Sequence, residues 1–175
     1  AVVAAAFTDA AYAQAATGAV VVAGATRGLR LQAATRTLQE TTDTLGQLVA
    51  SVYGEDAGER FTVIWGAQAG ALTDYARAKA NADVIVAQRA LAALERFRAQ
   101  AAGLLKELDP EGPRRGLAAA LADHVDAMTA AIRAQATGSP KLGPRLLAAA
   151  DAARAVGQEL AERFARQFPD TFTAD

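Results

Sequence analysis

The sequence has 175 residues, with 18 basic and 19 acidic side chains, one His and no Cys. That length suits one domain, residues 1–175, with a real core. A net charge of −1, scattered along the chain, gives no basic stripe for nucleic acid and no basic face for a membrane. Without Cys there is no disulfide framework and no thiolate chemistry.

Alanine is the commonest residue, and aromatics make up only 6%. Alanine is the strongest helix former, so the composition points to an all-α protein. Small side chains also let helices approach closely, which favours long antiparallel pairs.

The first predicted helix runs from Val2 to Ala23. Its apolar stripe is Val2, Ala5, Ala6, Ala13, Ala16 and Val20, with Asp9 inside it, and Gly24 is a C-cap. Signal-like Ala11-Tyr12-Ala13 lies within this segment. It lacks a basic leader and is too polar for a transmembrane helix, so it reads as a mature first helix. The sequence has a single Met, Met128, and no initiator Met. This suggests a chain that begins after processing or after a further segment, and an exported protein of the envelope or the extracellular space is the expectation.

The second predicted helix, Arg27–Tyr53, carries Leu31, Ala34, Leu38, Leu45, Leu48, Val49 and Val52, interrupted at Thr41. Gly54–Gly58 reads as a loop. The third begins near Glu59, with Phe61, Ile64, Trp65, Leu72 and Tyr75 on one face and Gln68 among them. Asn81-Ala82-Asp83 is a short break, with Asp83 as N-cap of the fourth helix, Val84–Leu108. That helix is expected to bury Leu91, Leu94, Ala101, Leu104, Leu105 and Leu108.

Asp109-Pro-Glu-Gly-Pro113 is the strongest linker, because two prolines and a glycine cannot continue a helix. The fifth helix, Arg115–Ala136, aligns Leu117, Leu121, Val125, Met128 and Ile132, with His124 among them. The sixth, Arg145–Gln167, carries Leu147, Ala150, Gly157, Leu160, Ala161, Phe164 and Phe168. Charged residues such as Glu95, Arg96, Glu162 and Arg163 read as solvated faces.

Six helices with short links make an up-down helical bundle of three antiparallel hairpins, about 1–57, 58–111 and 112–175. The hairpins behave as an internal repeat. Arg77-Ala-Lys-Ala matches Arg133-Ala-Gln-Ala without a gap, which makes Gln68 equivalent to His124. Asp9 takes the same place in the first hairpin.

His124 has two readings. One is a hydrogen-bonded core histidine. The other is a metal ligand, because Met128 lies one turn further along the same face. Imidazole plus thioether suits copper, with Asp9, Gln68 or Asp151 adding oxygen. Asp9 and Gln68 also read as buried polar residues that fix helix register. Tyr12, Phe61, Trp65, Tyr75 and Phe97 either line a small-molecule pocket or fill the core. Neither Ser51 nor Ser139 sits in a nucleophile motif, and no phosphate loop is present.

The run Ser51–Phe61, then Trp65, Asp74-Tyr75, Asp123-His124-Val125 and Arg166–Phe172 resemble an exported bacterial helical-bundle family. That family occurs in bacilli, actinobacteria and deinococci. The resemblance extends to its deinococcal, surface-layer-associated members, assigned as copper-only superoxide dismutases. It implies His positions at Asp9, Gln68 and His124, a further His at Ala152 and an Asn at Thr41. Only His124 keeps the residue.

Three functions follow as expectations. The first is an envelope-associated accessory bundle working through a surface-layer or envelope protein partner. The second is a copper-binding, superoxide-dismutase-like protein with metal residues His124, Met128, Asp9 and Gln68. The third is a small-ligand-binding bundle.

Overall fold

The computed structural model describes residues 28–112 and 114–169, and these are helical without strands. The helices are α1 (Gly28–Tyr53), α2 (Glu55–Ala80), α3 (Val84–Leu108), α4 (Arg114–Ala136) and α5 (Leu142–Gln167). The expected first helix, and Asp9 and Tyr12 with it, lies outside the described residues.

Consecutive helices pack as antiparallel neighbours: α1 on α2, α2 on α3, and α4 on α5. The α4–α5 hairpin is set across the others by contacts of α4 with α2 and α3. Side chains of α5 reach α1, where Tyr53 meets Phe164 and Phe168 at ring-centroid distances of 5.3 and 5.4 Å. One core cluster, from Leu45 to Phe164, runs through all five helices.

The expected Gly54–Gly58 loop is a correction. The link between α1 and α2 is one residue, Gly54, at φ 91, a left-handed backbone that favours glycine. Gly58 is instead buried inside α2, against α1. A Cβ there would stand 2.6 Å from the Gly46 carbonyl oxygen, and one on Gly46 would fall on the Thr62 hydroxyl. The glycines thus form the contact surface between two backbones.

Two expected core leucines are also corrected. Leu91 is 37% exposed and Leu147 69% exposed. Alanines hold the neighbouring seam positions instead, among them Ala87 and Ala90 on α3 and Ala149 and Ala153 on α5. A close helix–helix approach leaves room there for a methyl group but not for an isobutyl group.

Helices α2 and α4 end in the same way. After α2, the Asp83 N–H donates to the Ala78 carbonyl at 2.9 Å, with Ala82 at φ 54. After α4, the Ser139 N–H donates to the Ala134 carbonyl at 2.9 Å, with Gly138 at φ 61. Both are the same six-to-one closure around a left-handed residue. The residues correspond as the sequence alignment requires, Ala78 with Ala134 and Ala82 with Gly138. Asp83 then caps α3 by accepting from the Val86 N–H at 3.0 Å, as its position predicts.

One closure has glycine in the left-handed position and the other alanine. The left-handed conformation costs an alanine about 1 kcal/mol. Ala82→Gly is therefore expected to raise stability by about 1 kcal/mol and Gly138→Ala to lower it by about as much. Urea denaturation midpoints of the two variants check the opposite signs.

Candidate functional site

The core is mostly aliphatic and aromatic, and its few polar members are easily named. Thr41, Thr73 and Thr129 are satisfied within their own helices, donating to the carbonyls of Thr37, Ala69 and Asp126. Gln68 and His124, equivalent by the repeat, are 2% and 6% exposed. They sit on α2 and α4, which pack against each other. Among the described residues, neither the Gln68 Nε2 nor the His124 Nδ1 has a hydrogen-bond partner.

A small cavity of about 10 Å³ borders His124. Its other described walls are Leu45, Trp65, Leu121, Ala153, Val156 and Leu160, so the imidazole is its only metal-binding donor among the described residues. Met128 is 2% exposed and one turn along α4, but it does not line that cavity, and neither does Gln68. Asp9 lies outside the described residues. At the implied last-helix position, Ala152 is half-buried and Asp151 is exposed, paired with Arg154 at 2.9 Å. Among the described residues no three His, Cys, Asp or Glu side chains gather into a metal-binding group.

Burial lowers the His124 pKa from 6.5 to about 4, because the apolar surroundings disfavour the cation. At neutral pH the ring is uncharged, and among the described residues no carboxylate orients it. It offers a lone pair, and nothing in the cavity relays a proton. Of the aromatic residues considered for a pocket, the four among the described residues are core. Phe61 stacks on Trp65 at 3.9 Å, and Phe97 meets Trp65 edge-on at 5.2 Å. Tyr75 is 3% exposed.

A polar cluster that the sequence reading missed closes the end of the bundle where α1, α3 and α5 finish. Arg163, expected in solvent, is 4% exposed, and its Nη1 donates to the Asp109 Oδ2 at 3.4 Å. Asp109, expected in an open linker, is 7% exposed and caps α3. The Tyr53 hydroxyl donates to the Gln167 Oε1, and the Gln167 Nε2 donates to the Leu108 carbonyl at 3.0 Å. Burial, then the nearby Asp109 carboxylate, push the Tyr53 pKa far above its usual value, so the hydroxyl remains a donor. One signal was present in the sequence. Arg163 falls three residues after Leu160 and beside Phe164, on the apolar stripe of α5.

No known protein family matches the chain, no curated protein matches it, and neither does any solved structure.

The folded pKa of His124 lies below that of an unfolded histidine, so the unfolded chain takes up the proton first. The stability from keeping the ring neutral is full above about pH 6.5 and falls as the pH drops toward 4, by about 3 kcal/mol in all. Urea midpoints from pH 7 to pH 4 check this. His124→Leu is expected to lose clearly less stability across that window than the parent.

Proposed function

We propose that this chain is an exported, envelope-associated helical bundle that acts by interaction rather than by catalysis. The observation carrying this reading is a set of exposed apolar side chains toward one end of the bundle. Val84 and Ile85 are 67% and 63% exposed at the start of α3, and Leu147 is 69% exposed near the start of α5. Short links bring both helix starts to the same end. Beside Val84, between α2 and α3, lies a groove of about 260 Å³ that Leu91 also borders.

Large side chains so exposed gain free energy when a partner covers them, about 25 cal/mol per Å² of apolar area. The occupant we propose is an envelope or surface-layer protein, the partner class that the family resemblance implies. The finer architecture belongs to this proposal too: three hairpins over the whole chain, with Val2–Ala23 pairing with α1. No helix among the described residues is long and apolar enough to cross a membrane.

A second reading is copper held at His124 with Met128, Gln68 and Asp9. Its support is the buried imidazole nitrogen, without a partner among the described residues. The described donors do not fit a redox copper centre, since one imidazole faces a cavity whose other described walls are hydrocarbon. Copper analysis of the purified chain separates the readings. One tightly bound equivalent, lost in His124→Ala, supports this second one, and no bound copper after reconstitution removes it.

The interaction reading is tested by the double variant Val84→Asp and Ile85→Asp. Both positions face water, so the melting temperature is expected to stay within about 2 °C of the parent. Co-sedimentation of the chain with isolated cell envelopes is expected to be lost. Unchanged co-sedimentation contradicts the reading. So does a large drop in melting temperature, which would mean that the chain itself covers this face.

A further inference from the structure

Helix α2 keeps one face outside the bundle. No charged residue stands between Arg60 and Asp74, a stretch of more than three turns. Most of that stretch packs against α1, α3 and α4. The outward side carries exposed Val63, Ala67 and Gly70 at helical spacing, with half-buried Gly66 beside them. Val63 is 72% exposed, more than any other large apolar side chain among the described residues.

A glycine in a helix interior is less favourable than an alanine. Gly46 and Gly58 have a reason within the bundle, because a Cβ on either would strike the neighbouring helix. Gly66 and Gly70 do not: a Cβ on either meets nothing within 4 Å among the described residues. Beside Gly70 a groove of about 440 Å³ runs between α2 and α3, lined by Ala71, Val86, Ala90 and Ala93. The face therefore presents an aliphatic knob at Val63 and, two turns further along, a hollow at Gly70.

A knob and a hollow on one face fit a second copy of that face turned end for end, the isologous arrangement of a two-fold dimer. Charge agrees with this direction. The first turn of α2 is acidic, with Glu55 and Asp56, and the last turn is basic, with Arg77 and Lys79. Asp56 and Arg77 are exposed and share the outward side with Val63. Asp56 stands seven residues before Val63, and Arg77 seven after Gly70. An antiparallel pair that seats Val63 on Gly70 therefore also brings Asp56 beside Arg77, and does so twice. Glu59 then comes near Asp74, with Arg60 and Arg77 alongside to balance them.

From this juxtaposition of knob, hollow and opposite charges, we propose that the outer face of α2 binds a second copy of this chain. The two α2 helices run antiparallel, with Val63 of each copy over Gly70 of the other and Asp56 of each beside Arg77 of the other. The proposal does not rest on the envelope reading. Val63 lies roughly 26 Å along α2 from Ala80, at 1.5 Å per residue, and Val84 and Ile85 lie beyond that end.

Sedimentation equilibrium of the full chain, at concentrations up to about 1 mM, is expected to show a monomer–dimer equilibrium with a Kd of about 100 µM or tighter. Val63→Asp is expected to abolish the dimer and to leave the melting temperature of the dilute chain within about 2 °C of the parent. Gly70→Leu fills the hollow. It is expected to weaken the dimer at least about tenfold while raising the melting temperature of the dilute chain, because leucine is the better helix former. Asp56→Arg and Arg77→Asp are each expected to weaken the dimer about tenfold, and the two together to restore it. Val84→Asp with Ile85→Asp is expected to leave the dimer intact, so this proposal and the envelope reading fail separately. The proposal is overturned if the chain stays monomeric to about 1 mM, or if Val63→Asp or Gly70→Leu dimerises as the parent does. It is equally overturned if the double charge variant dimerises no better than the single ones. A sharp fall in the melting temperature of Val63→Asp also overturns it, because another part of the chain would then cover this face.

Discussion

The burial of Arg163 against Asp109 is the constraint that the rest of this bundle accommodates. Each charge loses several kcal/mol of hydration on leaving water, and attraction between them offsets this only where packing holds them together. That requirement reaches well beyond the pair. Helix α3 must stop at Leu108 so that Asp109 can turn inward, and position 112 must lack a Cβ. Helix α5 must run long enough to carry Arg163 across the core and then place Gln167 between the Leu108 carbonyl and Tyr53. The ends of α1, α3 and α5 are thereby fixed relative to one another. We hold that the pair sets the register of the α4–α5 hairpin against the other helices.

The bundle has two unlike ends. At one, the two closures after α2 and α4 repeat the same backbone geometry, and apolar side chains face water beside them. At the other, the polar cluster closes the core and borders a cavity of mixed character. The equivalent polar positions in the middle, Gln68 and His124, lie in hydrocarbon surroundings that keep the imidazole neutral. We propose that this molecule works by recognition at its surface rather than by reaction at its centre.

The helical architecture was legible because the apolar period, the caps and the prolines agree with one another. Asp83 as N-cap and the break at Asn81–Asp83 were read from residue type alone, whereas the matching closures of α2 and α4 were not. Gly58 misled because a glycine four residues after another reads as a loop, whereas here it serves a backbone-to-backbone contact that only α1 reveals. Leu91 and Leu147 misled because in alanine-rich seams the smaller residue wins the interior. Arg163 misled because charge outweighed position. It lies on the apolar stripe, and its partner stands in a linker 54 residues earlier. A pairing at that separation leaves no local trace. The inward faces of Gln68 and His124 could be read from their spacing, but the lone-donor cavity beside His124 could not.

The most direct test is a double-mutant cycle on Asp109→Ala and Arg163→Met, followed by urea denaturation. Each single change is expected to cost about 3 kcal/mol, because it breaks a buried ion pair. The double variant is expected to cost less than the sum of the two by more than about 1 kcal/mol. Strictly additive losses would contradict the account, because the two residues would then not be coupled and the register of α5 would have to be set elsewhere.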